Sequence, residues 1–333
     1  MSLGNQIAIF AATLGLVSAA HASPVFNVLF SPSAGFTAAD ESQIQNAINF
    51  YAADMTNNFT VTIAFGSQAG GGGSSLWFGD IVSYNDYYSA LVANSSGGAT
   101  DTSAIASLGG GTHTNNPVTG SSEVTMTSTL ASNLGLGGQV SSSFAACGGL
   151  SANACVVLGT DFLTGGPGGT PSAGLFGTVQ HEVDEALGTA SALPNGGGSL
   201  PADPSVADLY RYTAPGTRSF ALNTSTDVPC TGSPTAYLSV DGGTTNLNPY
   251  NNCNNGGDYG DWNFSDGLQV QDAFGPTDAP SSLSLGSPEV ALLDAVGYNF
   301  TTPTATPEPR TLLVLVLFAG ILVAAHQRHR RRV

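Results

Sequence analysis

The clearest alternation of apolar and polar residues lies near the start of the chain. Apolar side chains recur there at helical spacing behind an acidic first turn, at Ile44, Ala47, Ile48, Tyr51 and Ala52. This pattern predicts a helix over residues 38–55. Residues 58–65 then alternate between polar and apolar side chains, which predicts a strand.

Three later segments carry similar patterns. Val156–Gly159 is a short apolar run typical of a strand, and Leu175–Leu187 is a mostly apolar helix that Gly188 should end as a left-handed cap. Residues 287–296 predict a last helix, with Pro288 in its first turn and a glycine beyond its end. Elsewhere Gly, Ser, Thr and Asn are abundant, which favours strands and long loops. We therefore expect an α+β fold with a twisted mixed sheet.

The N-terminus predicts export. Residues 5–20 are apolar but too short to span a bilayer comfortably, and Ala20-His21-Ala22 offers small residues for signal peptidase. No Lys or Arg precedes the apolar run, so an ordinary buried N-terminal helix is the alternative. The preferred interpretation is a signal peptide over residues 1–22.

The C-terminus has three consecutive parts. Pro307-Glu308-Pro309 precedes an apolar run over residues 311–325, and an arginine-rich end follows it. This arrangement resembles the PEP-CTERM sorting signal of bacteria that make exopolysaccharide, which implies removal by an exosortase and association with an exopolysaccharide matrix. On physical grounds alone, the run is a short membrane helix with its basic end in the cytoplasm. Both interpretations place the body, residues 23–299, outside the inner membrane: in the cell envelope, on the outer surface or outside the cell. A linker over residues 300–306 joins the body to the tail.

The charge of the body excludes one class of partner. The chain has no lysine, and five of its seven arginines lie in the C-terminal tail. Without residues 1–22 and 307–333, the chain contains 22 acidic residues and two arginines, which gives a formal charge of about −20. Such a body will not bind nucleic acid, whose phosphates require cations.

Four cysteines lie in two local pairs, Cys147 with Cys155 and Cys230 with Cys253. An even number in an exported chain predicts two disulfides. Three pairings are possible, and the local one is favoured because each pair flanks a loop rich in Gly or Asn. A four-cysteine zinc site is the weaker alternative, since the usual C-x₂-C spacing is missing.

The candidate chemistry lies in His181-Glu182-Val183-Asp184-Glu185. Residues four apart share one face of a helix, so His181 and Glu185 can bind one metal ion. Glu182 lies about 100° around the helix, where it can reach metal-bound water as a general base. A surface helix that happens to contain a histidine is the alternative.

These residues resemble a known zinc motif. They match the metzincin pattern H-E-x-x-H-x-x-G-x-x-H at His181, Glu182 and Gly188, and depart from it at Glu185 and Ser191. The chain is more similar to secreted bacterial metalloproteases with an H-E-x-x-E motif. Their later segments correspond here to residues 208–212, 239–243 and 256–262. The resemblance implies a zincin-like fold, bound Zn²⁺, and an endopeptidase that acts on proteins or peptides.

The third metal ligand is not defined by the motif. Between the two terminal segments the only histidines are His113, in a polar loop, and His181, so a three-histidine site is excluded. Asp208 is the preferred third ligand and Asp203 a weaker one. The alternatives for Asp208 are a helix cap or a salt bridge to Arg211. A site with two carboxylates would also accept other divalent ions.

A second acidic cluster follows, with Asp258, Asp261 and Asp266 among glycines and asparagines. Carboxylates in this setting can bind Ca²⁺, although the spacing matches no EF-hand and turn formation explains part of it. The sequence thus predicts an exported metalloprotease. The alternative is a non-catalytic matrix or adhesive protein that retains the zincin scaffold.

Overall fold

The computed structural model describes residues 23–138, 140–164, 171–194, 201–233, 235–264, 268–274, 281 and 283–301. The predicted signal peptide, the sorting tail and most of the linker lie outside these ranges. Among the described residues, no helix has the length and apolar character needed to cross a membrane.

The described residues form both helices and strands, which confirms the α+β prediction. The helices are α1 (Ala38–Asp54), α2 (Tyr84–Asn94), α3 (Ala99–Ser107), α4 (Ser128–Asn133), α5 (Ala173–Asp184) and α6 (Pro288–Val296). The strands are β1 (Val25–Phe30), β2 (Thr60–Gln68), β3 (Gly73–Trp77), β4 (Gly79–Ser83), β5 (Glu123–Thr127), β6 (Ser142–Phe144), β7 (Leu150–Ala152), β8 (Ala154–Gly159), β9 (Arg211–Ala214), β10 (Thr217–Arg218), β11 (Tyr237–Leu238) and β12 (Asn248–Pro249).

The main sheet is mixed, as the sequence predicted. Its strand order is β1-β2-β8-β3. The first three strands are parallel, and β3 pairs antiparallel with β8 at the edge of the sheet. Every residue of β8 is buried, because the strand lies inside the sheet with both faces covered. A second sheet has the order β10-β9-β11-β12, and β4–β5 and β6–β7 form two-stranded pairs.

Helix α1 connects the sheet to α5. It begins with a capping box in which Thr37 and Asp40 satisfy each other's backbone N–H groups. Its buried face includes Ile44, Ile48 and Tyr51. The Tyr51 hydroxyl donates to Asp184 Oδ1 at 2.7 Å, so the two helices are joined by a buried hydrogen bond as well as by apolar packing.

Helices α2 and α3 lie in a region for which the sequence favoured strands and long loops. The region does contain strands β3 to β7, but neither helix was predicted. The Ser83 hydroxyl caps α2 by accepting from the Asp86 backbone N–H, and Tyr84, Tyr87 and Leu91 are buried. Their spacing is helical, but the surrounding Gly, Ser and Thr residues obscured it. Packing of these aromatic side chains into the core stabilises a helix whose intrinsic propensity is modest.

Both predicted disulfides are confirmed, and so is their local pairing. Cys147 is bonded to Cys155, and Cys230 to Cys253. The first connects β8 to the turn before β7, and the second joins the segment before β11 to the segment after β12.

The last helix lies where the sequence predicted it, and the body extends slightly beyond its predicted end. Helix α6 begins at Pro288, and Gly297 follows it with a positive φ of 128°. Beyond the predicted boundary at residue 299, Phe300 forms a bridge to Met55. The Thr301 N–H donates to Asp54 O at 2.7 Å. The folded body therefore includes at least these two residues of the predicted linker.

Candidate metal centre

The motif helix α5 passes into a π-type turn, Glu185–Thr189, within which Gly188 has a non-helical φ of 134°. A Cβ at Gly188 would lie 3.1 Å from Leu130, so both backbone conformation and packing favour glycine there. Because α5 is regular up to Asp184, His181 and Glu185 lie on one face. Glu185 begins the turn in helical geometry.

Three side chains converge at this face. His181 Nε2 lies 4.0 Å from Glu185 Oε1 and 3.6 Å from Asp261 Oδ1. One ligand atom from each of the three residues lies within 4.8 Å of the others. Zinc binds such atoms at about 2.0–2.2 Å, so two of its ligands lie at most about 4.4 Å apart. Both distances from His181 meet that limit.

The imidazole is oriented for metal binding. His181 Nδ1 lies 3.0 Å from the Val270 carbonyl oxygen, which can only accept a hydrogen bond. Nδ1 therefore carries the proton, and in the neutral ring Nε2 presents its lone pair towards Glu185 and Asp261. Metal-binding histidines are commonly fixed in this way.

Each carboxylate also has a supporting partner. Ser75 on the edge strand β3 donates its hydroxyl to Glu185 Oε2 at 2.5 Å. Gln271 donates from Nε2 to Asp261 Oδ1 at 3.2 Å. Ser75 leaves Glu185 Oε1 facing His181, whereas Gln271 donates to the Asp261 oxygen, Oδ1, that itself lies 3.6 Å from His181 Nε2. Both bonds restrict rotation of the carboxylate, which is how such groups support metal ligands.

The electrostatics of the group call for a cation. Burial raises the pKa of Glu182, Glu185 and Asp261, although His181 opposes that shift in each case. Burial alone would lower the pKa of His181, but Asp261, Glu182 and Glu185 together raise it to about 10. One imidazolium cannot balance three buried carboxylates, and uncompensated buried charge is costly.

No lysine or arginine in the part of the chain that the structure describes supplies the missing charge. Among the described residues, the cleft at the metal group has no Lys or Arg in its lining. The two arginines of the described chain bond elsewhere: Arg211 donates to Tyr259 O, and Arg218 donates to the carbonyls of Leu209 and Ser107. A divalent cation bound by one imidazole and two carboxylates fits this site.

Glu182 lies next to the metal group but outside it. Its residue is 4 % exposed and lies against the edge strand. A Cβ built on Gly73 would meet Glu182 Oε1 at 2.4 Å, so the strand approaches the carboxylate closely because it has glycine there. Both residues line an open cleft of about 510 Å³ together with His181 and Asp261.

Asp208 is not the third member of the group, and that prediction is corrected. Its Oδ1 accepts from the Ser191 hydroxyl at 2.6 Å, and its Oδ2 accepts from the N–H groups of Ala192 and Ser205. The carboxylate is therefore occupied in joining the loop after α5 to the turn before β9. This is close to the capping role weighed as an alternative.

Asp261 takes the third position instead. The sequence predicted it as part of a calcium cluster with Asp258 and Asp266. The structure places its carboxylate beside His181, and Asp258 lines the same cleft. Asp266 lies outside the described residues. The acidic cluster was the available sequence signal, but spacing could not show which aspartate reaches α5.

The remaining candidates lie elsewhere. Asp203 Oδ1 accepts from the Ser121 hydroxyl at 2.6 Å. The ring of His113 stacks on Tyr88 with centroids 3.3 Å apart, and His113 is half-buried. Neither residue belongs to the metal group formed within the described part of the chain.

A comparison of the chain with protein-family models, curated proteins and solved structures gives no match.

Proposed function

We propose that this protein is an exported, metal-dependent endopeptidase with a zincin-like fold, and that zinc is its metal. The observation that carries the proposal is the convergence of His181, Glu185 and Asp261, with Glu182 beside them in an open cleft. Peptide hydrolysis requires a Lewis acid, a base and room for an extended substrate, and the site offers residues for each.

The residues divide the chemistry between them. His181, Glu185 and Asp261 would hold the ion, which when bound supplies Lewis acidity towards water and the peptide carbonyl. Glu182 takes the proton from the attacking water and then delivers it to the amine nitrogen that leaves.

The edge strand β3 supports a peptide substrate. Among the described strands it pairs on one side only, with β8, and Gly73, Ser74 and Ser75 line the cleft. An unpaired strand edge binds an extended chain through backbone hydrogen bonds. A peptide added there would pass directly over Glu182.

The zincin-like assignment rests on the order and packing of these elements. A mixed sheet with an antiparallel edge strand lies against the metal helix, and the third ligand comes from a later loop. Three parts of the proposal rest on the sequence alone. They are export with sorting through the C-terminal tail, the enzymes that process the two ends, and zinc as the ion instead of another divalent metal.

Metal content and cleavage of casein by the protein without its terminal segments test the proposal together. We expect about one equivalent of zinc per chain in the wild type, and in Glu182→Gln equal metal but a loss of at least 100-fold in kcat/KM. Glu123→Gln, at an exposed position, is the matched control and should cleave like the wild type.

Two outcomes would contradict the proposal. A wild-type protein that binds no divalent metal has no centre of the proposed kind. Equal cleavage by the wild type and Glu182→Gln removes the proposed base. Metal binding without cleavage of any protein or peptide would favour the non-catalytic matrix protein that retains this scaffold.

A further inference from the structure

The Cys230–Cys253 disulfide lies next to the loop that carries Asp261. Its Cys253 end closely follows Asn251, whose backbone N–H donates to the carbonyl oxygen of Asp261 at 2.7 Å. Its Cys230 end contacts Asn263, which lies just beyond Asp261 in the chain. The disulfide therefore connects two segments that bond to the loop at the proposed metal ligand and directly after it.

The contact between Cys230 and Asn263 consists of two hydrogen bonds. The Cys230 N–H donates to Asn263 Oδ1 at 3.0 Å, and Asn263 Nδ2 donates to the Cys230 carbonyl oxygen at 2.9 Å. The backbone N–H of Asn263 donates to Pro249 O at 2.8 Å. Because the side-chain amide uses both its donor and its acceptor on one residue, the position of Cys230 determines where Asn263 is held.

The Cys253 end is held by buried contacts. Cys253 and Asn252 are both buried. Asn252 Oδ1 accepts from Arg211, and Arg211 also donates to the Tyr259 carbonyl oxygen at 2.6 Å. These hydrogen bonds connect the Cys253 segment to the start of the loop, and they do not depend on the disulfide.

The Cys230 end has little support of its own. Between Arg218 and Tyr237 the described residues form neither a helix nor a strand, and residues 226–229 are exposed. Order in such a segment costs conformational entropy that little packing offsets. The disulfide joins residues 23 positions apart and so keeps Cys230 against Asn263.

We propose that the Cys230–Cys253 disulfide positions Asp261, so that the metal centre reaches its full affinity only after this bond has formed. The inference rests on the proposed metal centre and adds a form of regulation to it. In the reduced chain Cys230 leaves Asn263, and the loop keeps its contacts with Gln271 and Arg211. Loss of a group that holds a ligand in place weakens metal binding by about 10- to 100-fold.

The chemistry of the bond makes this regulation depend on the compartment. Formation of the bond joins the two Sγ atoms and removes two electrons and two protons from the thiols. A disulfide oxidant takes them up and becomes a dithiol. The cytoplasm keeps thiols reduced, whereas compartments outside the inner membrane favour disulfides. The proposed peptidase is thus completed only after export, which protects cytoplasmic proteins from it.

Paired substitutions test the positioning role in the full chain. Zinc affinity is measured by competition with a chromophoric chelator, under conditions in which circular dichroism shows each protein to be folded. Cys230→Ala/Cys253→Ala should bind zinc at least tenfold more weakly than the wild type. Cys147→Ala/Cys155→Ala is the matched control, since its bond joins β8 to the turn before β7, and it should keep the wild-type affinity within about twofold. Equal affinities in all three proteins would overturn the inference.

Reduction and reoxidation test the same bond within one protein. Cys147→Ala/Cys155→Ala retains only the Cys230–Cys253 disulfide, so a dithiol reductant should lower its zinc affinity, and reoxidation should restore it. Asn263→Ala keeps the disulfide but removes the contact with Cys230, and it should weaken zinc binding at least fivefold. Unchanged affinity in Asn263→Ala shows that the proposed route from the disulfide to Asp261 is wrong.

Hydrogen exchange of the metal-free protein separates this inference from the metal proposal. The Trp262 N–H, next to Asp261, donates to Gln271 O at 2.8 Å. In Cys230→Ala/Cys253→Ala it should exchange at least tenfold faster than in the other double variant, which also lacks one disulfide. If the wild type binds no divalent metal but this difference appears, the metal proposal is wrong and control of the loop by the disulfide stands. If the wild type binds zinc but neither affinity nor exchange differs between the double variants, the positioning role alone is wrong.

Discussion

Glu182, Glu185 and Asp261 are buried around the single imidazole of His181, and this imbalance determines what the centre can bind. Each carboxylate resists ionisation because burial raises its pKa, and together they raise that of His181. In the proposed centre a divalent cation would supply the missing positive charge, and Glu185 and Asp261 would lose their protons when they bind it.

The two aspartates that compete for the third position can be distinguished by matched substitutions. Asp261→Asn should weaken zinc binding at least tenfold, because it removes a charged ligand. Asp208→Asn should leave zinc affinity nearly unchanged but lower the free energy of unfolding by about 1–3 kcal/mol, since an amide cannot accept all the hydrogen bonds that Asp208 receives. Competition with a chromophoric chelator and urea unfolding measure the two quantities. The reverse pattern would restore Asp208 as the ligand.

At the scale of elements, α6 supports the third ligand although it lies far from it in sequence. Glu289 in α6 is fully buried, and its Oε1 accepts from Trp262 Nε1 at 2.9 Å and from the Gln271 N–H at 3.0 Å. Trp262 follows Asp261 directly, and Gln271 donates to the Asp261 carboxylate. Glu289 is therefore a positioning residue for the loop that carries Asp261.

Glu289→Ala and Glu289→Gln test this positioning role. The alanine variant should lower zinc affinity by about tenfold or more, whereas glutamine, which keeps an oxygen acceptor, should recover most of it. Zinc affinity and the thermal midpoint of the metal-free protein are measured in parallel. A purely structural residue would lower the midpoint in both variants and leave the affinity of the folded protein unchanged.

The interface of α3 and α6 contains a second carboxyl pair, remote from the metal group in sequence. Burial, and then the Asp101 carboxylate, raise the pKa of Asp294 to about 7, while a hydrogen bond with Thr100 lowers it. A carboxyl with a raised pKa in the folded state holds its proton there after the unfolded chain has lost it. Its contribution to stability is therefore present below about pH 4 and is lost as the pH rises to about 7.

Asp294→Asn should remove this pH dependence. The variant should gain stability relative to the wild type as the pH rises, so that the difference in the free energy of unfolding grows by about 1–2 kcal/mol between pH 5 and pH 8. Urea unfolding at both pH values measures it. A difference that stays constant or shrinks at high pH would contradict the assignment.

At the scale of the whole molecule, few charged pairs join the described residues, and the acidic residues repel one another. The described chain instead has one large apolar core that extends from α1 through the main sheet to α6, together with two disulfides. The bond between Cys230 and Cys253 spans 23 residues of sequence in a region with only short strands. The disulfide therefore stabilises a region in which packing between strands contributes little.

Removal of each disulfide by paired alanine substitutions should lower the stability of the body. Loop-closure entropy gives a loss of about 3 kcal/mol for the Cys230–Cys253 bond and about 2.5 kcal/mol for the Cys147–Cys155 bond. Urea unfolding of the oxidised wild type and the two double variants measures these losses. Equal stability of all three proteins would show that the bonds contribute nothing beyond the packing around them.

The sequence by itself determined the elements whose formation depends on residues close together in the chain. The spacing of apolar residues predicted α1, α5 and α6. Pro288 and the glycines after α5 and α6 predicted where helices begin or end, because their effect on the backbone is confined to a few residues. The same holds for the two disulfides and for the pairing of His181 with Glu185, which are one helical turn apart. Helix α2 was missed because Tyr84, Tyr87 and Leu91 stabilise it by packing into the core, and α3 was missed because it is short and buries only Asp101 and Ala104.

Only the tertiary structure decided which aspartate lies beside His181 and Glu185. Asp208 and Asp261 both lie in loops after α5, and no periodicity relates either of them to His181. The outcome depends on contacts between segments far apart in sequence. The Asp208 carboxylate accepts hydrogen bonds from Ser191 and Ser205. Gln271 bonds to both Asp261 and Glu289, and so holds Asp261 beside His181. A helix fixes the geometry of ligands four residues apart, but a ligand from a loop is placed by the packing of the whole chain.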